Sequence, residues 1–122
     1  MDLMDLKKGH LLKAESSNKF LYTIDLNRGY FDWAIIVAFY TALHYVSAYL
    51  TTKDKFKVEN HPQMLKLIAI YLPKIAKDYS DLFQAGWLAR YNVYYKPSLS
   101  TFLGYRDSNL FNIKSHITEL LK

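Results

Sequence analysis

The sequence predicts an all-α protein, an antiparallel up-and-down bundle of four long helices with a short connector or fifth helix near the C-terminus. Apolar residues recur at three- and four-residue intervals through most of the 122-residue chain, and no segment has the pattern of a strand. The stretch from Asp32 to Leu50 contains no charged residue after Asp32, no Gly and no Pro, so it predicts a helix that is apolar nearly all round. A chain of this length forms a single domain, residues 1–122, around one core.

This apolar helix is expected to be the buried centre of the bundle. It is borderline in length for a membrane span, which needs about 20 apolar residues. His44, Thr41, Ser47 and three tyrosines interrupt it, and the chain has no second comparable run, so we expect no membrane association. Charged residues are spread through residues 1–25 and leave no apolar export segment. With no cysteine in the chain, the cytoplasm is the simplest expected location.

The helix before it is predicted from Leu3 to about Leu26. Its inward-facing residues are Leu3, His10, Ser17 and Ile24, which repeat every seven positions, and Leu6, Ala14 and Leu21 on the adjacent ridge. Asn27, Arg28 and Gly29 form a stop signal after this helix. Gly29 is expected to adopt a left-handed cap conformation, because glycine has no Cβ to oppose it. The central helix then begins at about Phe31.

Three further helices are predicted. One opens at His61-Pro62 and ends or kinks at Pro73, because Pro suits the first helical position and disrupts the interior. The next runs from around residues 76–80 to about Tyr94. Residues 96–106 break the periodicity, and Asp107 or Ser108 can cap a last helix. The core face of the fourth helix is expected to hold Tyr79, Leu82, Phe83, Gly86, Ala89, Arg90 and Val93, and that of the last helix Leu110, Ile113, Ile117 and Leu120.

The polar segment 51–60 carries Phe56 between Lys55 and Lys57. An aromatic ring flanked by lysines can stack on single-stranded nucleic acid. The alternative, which we favour, is a solvated loop with one side chain turned inward.

The formal net charge of +5 favours an anionic partner such as nucleic acid. Thirteen of the sixteen basic residues are lysines, which usually serve as solvated surface charges. The three arginines, Arg28, Arg90 and Arg106, are therefore the more informative candidates for fixed phosphate contacts. Eleven tyrosines suit either half-buried helix seams or a surface that stacks on bases.

Arg90 is the principal candidate site residue, because it occupies an apolar stripe of a predicted helix. A guanidinium in that position must be paired or must line a cleft. It could anchor the bundle through a carboxylate such as Asp32 or Asp25, or through helix-end carbonyls. A functional role is the equal alternative.

Three of the four histidines are also candidates. His44 lies within the central helix and needs partners for both ring nitrogens, so it is either structural or functional. His10 is expected to be a hydrogen-bonded structural residue, and His61 could help to cap the helix that it begins. No Cys, no HExxH and no Gly-rich phosphate loop is present, so neither a metal nor a cofactor is predicted.

Three segments in order resemble a branch of the HEPN domains, the higher eukaryotes and prokaryotes nucleotide-binding superfamily. They are FYTALHYVSAYL (Phe39 to Leu50), then His61 after a polar loop, then WLARY (Trp87 to Tyr91). The resemblance implies a small all-α bundle that is frequently a dimer and often encoded beside or fused to a nucleotidyltransferase. Many members are metal-independent ribonucleases that use Arg, four to six residues, then His across a dimer cleft.

The chain departs from this motif at the histidine. After Arg90 the corresponding positions hold Tyr95, Lys96 and Pro97, and neither Arg28 nor Arg106 is followed by a histidine at that distance. Tyr95 could hydrogen-bond a phosphate, but a phenol with a pKa near 10 is a poor base at neutral pH.

We therefore expect first a non-catalytic HEPN-like module that binds RNA, a nucleotide or a protein through a cleft, formed in a homodimer, that contains Arg90, Tyr91, Tyr95 and Lys96. Second is an assembly module that pairs with a nucleotidyltransferase or antitoxin. Third is a toxin-like, metal-independent ribonuclease with a rearranged site.

In the third interpretation Arg90 would act together with His44 or His61. Imidazole can move the 2'-hydroxyl or leaving-group proton, and guanidinium can stabilise charge on the scissile phosphate.

Overall fold

The helices account for most of the residues that the computed structural model describes, which are 3–53 and 60–122. No strand occurs in these ranges, which confirms the predicted all-α class. The predictions for Phe56 and its flanking lysines lie outside the described residues. The helices are α1 (Leu3–Thr23), α2 (Phe31–Thr51), α3 (His61–Tyr71), α4 (Ala76–Tyr91), α5 (Leu99–Gly104) and α6 (Phe111–Leu120), with a π-helical segment at Tyr105–Leu110 and 3₁₀ turns at Leu26–Arg28 and Pro73–Ile75.

Helix α2 is the centre of the bundle, as predicted, and packs against α1, α4, α5, the π-helical segment and α6. Ile35, Ala38, Phe39, Ala42 and Val46 on this helix are fully buried. In residues 3–53 and 60–122, it is the one helix long and apolar enough to cross a membrane, and 61% of its apolar window is buried by the rest of the chain. Such burial is expected of the core helix of a bundle.

Helices α1 and α2 form a hairpin. Ala14 and Leu21 are fully buried, whereas Leu6, His10, Ser17 and Ile24 on the predicted ridges are half-buried. Helix α1 ends at Thr23, earlier than predicted, because the Asp25 carboxylate accepts from the Asn27 N–H and starts a 3₁₀ turn. Gly29 has a positive φ of 80°, but the left-handed α conformation falls on Tyr30 (φ 59°, ψ 31°) and not on the glycine.

Helices α3 and α4 begin where the sequence predicts. The Asn60 side chain accepts from the Gln63 N–H and caps α3, so His61 is the first helical residue and not the cap. Helix α4 ends at Tyr91, because the Asn92 side chain turns the backbone by accepting from the Tyr94 N–H. The predicted extension to Tyr94 is therefore wrong.

Val93, predicted on the core face of α4, lies beyond the helix and is 85% exposed. Leu120, predicted on the core face of the last helix, is also exposed. The other predicted core positions of that last helix, Leu110, Ile113 and Ile117, are fully buried.

The C-terminal helix begins at Leu99, eight or nine residues before its predicted cap, Asp107 or Ser108. The Ser98 hydroxyl accepts from the Thr101 N–H and caps α5, which continues without interruption through the π-helical segment into α6. Burial of Phe102 against the core holds this first part in place. Gly104, which suggested a break, lies within the helix, where nothing would contact a Cβ.

The π-helical segment is attached to the end of α1 by side chains. Arg106 donates to the Leu21 carbonyl (Nη1 to O, 3.2 Å) and to Asp107 (Nε to Oδ1, 2.8 Å), and its guanidinium lies 4.2 Å from the Tyr22 ring centroid. The Arg106 guanidinium holds the pKa of the Asp107 carboxyl below its usual range. This arginine therefore has hydrogen-bond acceptors within the fold.

Candidate functional site

Arg90 lies in the last turn of α4 and is surrounded by aromatic rings. Its Cζ is 5.1 Å from the Phe39 ring centroid, 5.5 Å from that of Tyr40 and 5.4 Å from that of Tyr91. Each distance is within the range of a cation–π contact, worth about 0.5–2 kcal/mol depending on desolvation. Three aromatic rings thus contact the guanidinium, and its N–H groups are its hydrogen-bond donors.

Two of these N–H-bearing atoms have no acceptor. Within residues 3–53 and 60–122, Arg90 Nε and Nη1 are buried and make no hydrogen bond. The third guanidinium nitrogen, Nη2, is not both buried and unpaired. No ion pair joins Arg90 to Asp25 or Asp32, two of the possible anchors, within the described ranges: Asp25 pairs with Arg28, and Asp32 accepts from the Trp33 N–H. A buried charged donor without an acceptor is costly, so these two nitrogens are unsatisfied hydrogen-bond donors in this part of the fold.

Phe39 connects Arg90 to a histidine. The Phe39 ring centroid is 5.9 Å from that of His61 and 5.7 Å from that of Phe83, and the His61 and Phe83 centroids are 4.8 Å apart. His61 and Arg90 therefore contact the same ring, although they come from the start of α3 and the end of α4. Of the two predicted partner histidines, His61 is the one that the fold brings to this ring.

Tyr79 lies on the inner side of the same aromatic cluster. Its ring centroid is 6.0 Å from that of Phe39, and its fully buried hydroxyl has no hydrogen-bond partner in the described ranges. Burial raises the pKa of this hydroxyl, and the positive charge of Arg90 opposes the rise. Tyr79 is thus a neutral donor close to the guanidinium at any physiological pH.

Trp87 is a site residue that sequence reasoning missed. Its ring centroid is 5.3 Å from that of Tyr91, and both side chains are exposed, by 48% and 64%. Trp87 precedes Arg90 by three positions and Tyr91 by four, the helical spacing that places side chains on one face. That spacing is visible in the sequence and could have identified an aromatic platform beside the arginine.

The other two predicted binding residues lie farther along the chain. Tyr95 is half-buried and packs against the core, and burial, with a smaller effect of Tyr105, raises the pKa of its hydroxyl. Lys96 is exposed in the segment between α4 and α5. Within the described part of the chain, neither residue forms a hydrogen bond, ion pair or cation–π contact with Arg90, whereas Tyr91 does contact it.

The segment that carries Arg90 contains basic residues and no acidic ones. Residues 82–106 include Arg90, Lys96 and Arg106 but no Asp or Glu. This segment supplies the second half of α4, the loop after it, all of α5 and the start of the π-helical segment. An anion that approaches the end of α4 therefore meets no carboxylate from this stretch, although Arg106 is itself paired with Asp107 and adds no net charge.

His44, the other predicted partner of Arg90, is joined to His10 of α1. Their Nδ1 atoms are 3.0 Å apart, a hydrogen bond in which one imidazole donates and the other accepts. Burial lowers the pKa of both, and the charges of His10 and Lys13 lower that of His44 further. The structural role expected of His10 is confirmed, and the pair connects α1 to α2.

The His10–His44 pair predicts acid sensitivity. A histidine pKa lowered in the folded state means that the unfolded chain binds more protons below about pH 6.5, so the free energy of unfolding falls as pH drops. Urea unfolding at about pH 7.5 and about pH 5.5 should show this loss, and replacing both residues with Gln should reduce it. His116→Gln serves as the control and should keep the loss. An equal loss in the double variant would contradict the assignment.

In residues 3–53 and 60–122, no group of three or more His, Cys, Asp or Glu side chains is arranged to hold a metal ion. Comparisons with protein-family models, with curated proteins and with solved structures gave no match for this chain.

Proposed function

We propose that the protein is a non-catalytic nucleotide- or RNA-binding module of the HEPN type, with Arg90 as its phosphate-binding residue. The observation that carries the proposal is a half-buried Arg90 guanidinium that forms no ion pair within residues 3–53 and 60–122, together with the absence of any Asp or Glu from residues 82–106. Guanidinium is the side chain best suited to phosphate, because its donors match the phosphate oxygens and its charge persists at every physiological pH.

The exposed rings of Trp87 and Tyr91, beside Arg90, would bind the base of a nucleotide whose phosphate contacts Arg90. Trp87 and Tyr91 expose ring faces next to the guanidinium, and stacking on such faces contributes about 1–3 kcal/mol per base. A phosphate held by Arg90 would leave its own nucleoside within reach of these rings. Unpaired nucleotides fit this arrangement better than a duplex, whose bases are already stacked on each other.

Trp87→Ala should weaken binding of a labelled single-stranded RNA of about 12 nucleotides by roughly five- to tenfold, through loss of one stacking surface. Fluorescence anisotropy measures the effect. Trp33→Ala is the matched control, because Trp33 is the only other tryptophan, is 65% exposed and lies on the side of α2 that lines a groove with α1. Equal weakening by both substitutions would contradict a specific platform.

A ribonuclease with a rearranged site is the second candidate, and the position of His61 favours it. His61 and Arg90 contact the same Phe39 ring, so one could transfer a proton while the other stabilises charge on the phosphate. His44, in contrast, is hydrogen-bonded to His10. This candidate therefore assigns His61 and not His44 as the partner of Arg90.

The ribonuclease candidate predicts cleavage of a mixed RNA pool in the presence of EDTA. Activity should fall at least about a hundredfold in His61→Ala and in Arg90→Ala, because each removes a group that acts in the transition state. His44→Ala should retain most of the cleavage activity and serves as the matched histidine control. Intact RNA after prolonged incubation with concentrated protein would eliminate this candidate and leave the binding function.

An assembly role is the third candidate. A groove of about 340 Å³ at the α1–α2 hairpin is bordered by the exposed side chains of Phe20, Tyr30 and Trp33. Exposed aromatic groups of this kind suit a protein partner, here a second copy in a homodimer, a nucleotidyltransferase or an antitoxin. All three candidates place the protein in the cytoplasm, away from membranes.

A further inference from the structure

A cavity of about 520 Å³ lies between α1, α2 and α6, and none of its lining residues belongs to the cluster around Arg90. Its volume falls within the range of small-molecule sites. Leu11, Leu121 and the Tyr45 side chain form its apolar lining. Its polar lining consists of Glu15, Asn18, Lys19, Lys114, Thr118 and Lys122.

Tyr45 is the unusual residue of this cavity. It is only 2% exposed, and its buried hydroxyl makes no hydrogen bond to any described residue. Burial, with a smaller effect of the Glu15 charge, raises the pKa of Tyr45 to about 12, so the hydroxyl remains a donor at neutral pH. Buried hydroxyls are nearly always hydrogen-bonded, which makes this one a marker of a missing acceptor.

The charges at the cavity favour an anion. Lys19 and Lys114 form no ion pair with any residue of 3–53 or 60–122, whereas Lys122 pairs with Glu119 at 3.0 Å. Glu15 contributes one opposing carboxylate. Two unpaired ammonium groups therefore face one carboxylate, so an incoming phosphate or carboxylate is attracted overall.

We propose that this cavity binds a small amphipathic anion. Its apolar body lies against Leu11 and Leu121, and its phosphate or carboxylate group lies between Lys19 and Lys114. The Tyr45 hydroxyl donates a hydrogen bond to an acceptor of the same ligand. This site is separate from Arg90, and the proposal does not depend on the proposed nucleic-acid binding.

Titration of the ¹⁵N-labelled protein, followed by amide chemical shifts, tests the proposal with four probes. Octanoate and octyl phosphate carry both an apolar body and an anion, whereas octanol lacks the anion and inorganic phosphate lacks the apolar body. At least one of the two amphipathic anions should bind about tenfold more tightly than either single-feature probe, with shifts confined to residues around the cavity. Octanol binding as tightly as both anions, or dispersed shifts, would overturn the proposal.

Two variants make the test specific. Lys114→Gln and Tyr45→Phe should each lower the affinity for the preferred probe by about five- to tenfold. Tyr45→Phe should also raise the melting temperature, because it removes an unpaired buried hydroxyl, and this separates a binding role from a structural one. Lys74→Gln, at an exposed lysine outside the cavity, and Arg90→Met should leave the affinity unchanged. Unchanged binding in both Lys114→Gln and Tyr45→Phe would overturn the assignment.

Discussion

Gly86→Ala is expected to destabilise the protein by about 1–3 kcal/mol, although alanine is the better helix former. A Cβ on Gly86 would lie 2.9 Å from Phe39 Cβ and 3.1 Å from its Cγ. Phe39 Cβ is fixed to the backbone of α2 and cannot rotate away, so α2 and α4 would have to separate. Urea unfolding measures the loss, and RNA binding should fall as well, because Arg90 and His61 both contact Phe39.

Gly9→Ala is the matched control for this prediction. Gly9 lies within α1, and nothing would be within 4 Å of its Cβ. Alanine there should stabilise the protein by up to about 1 kcal/mol through helix propensity alone. The two substitutions are chemically identical and are expected to have opposite signs. A Gly86→Ala variant as stable as the parent would show that the α2–α4 contact is looser than described.

Arg90→Met should separate binding from stability more clearly than any other substitution in this chain. Methionine retains apolar packing against Phe39, Tyr40 and Tyr91 and removes the two buried nitrogens that lack acceptors. Replacing a buried charge with an apolar side chain is often neutral or stabilising, so we expect a stability change within about 1 kcal/mol. RNA affinity should fall by about ten- to a hundredfold, through loss of a charge-assisted phosphate contact.

The opposite result has a clear meaning. If Arg90→Met loses several kcal/mol of stability, the three cation–π contacts hold the bundle together and Arg90 is a structural anchor. Arg90→Lys helps to distinguish these roles. Lysine keeps the charge but loses the planar group that lies over the rings, so it should retain part of the phosphate affinity.

Much of the fold could be predicted because apolar runs and helix-limiting prolines can be recognised within short stretches of sequence. The uninterrupted apolar run of α2 identified the central helix, and Pro62 and Pro73 marked the limits of α3. The C-terminal helix was placed too late, because Gly104 and the hydroxyl residues around it resemble a loop. Burial of Phe102 and the Ser98 cap outweigh these weak local preferences, and burial is a property of the whole fold.

The candidate site could be predicted only in part. Arg90 stood out because an arginine interrupts an apolar stripe, and that inference needs only helical periodicity. Its partners come from α2, about fifty residues away in the chain, and they are rings instead of the expected carboxylates. The His10–His44 bond joins residues 34 positions apart, which no spacing rule connects.

The most direct test of this account is an anisotropy titration of one labelled single-stranded RNA with the parent protein, Arg90→Met and Arg28→Met. Arg28 is an exposed arginine, paired with Asp25, so its loss removes the same charge from the 3₁₀ turn before α2. We predict binding by the parent, a loss of at least about tenfold for Arg90→Met, and near-parent affinity for Arg28→Met. Equal affinities for the two variants, or no binding by the parent, would contradict the assignment of Arg90 as the phosphate-binding residue.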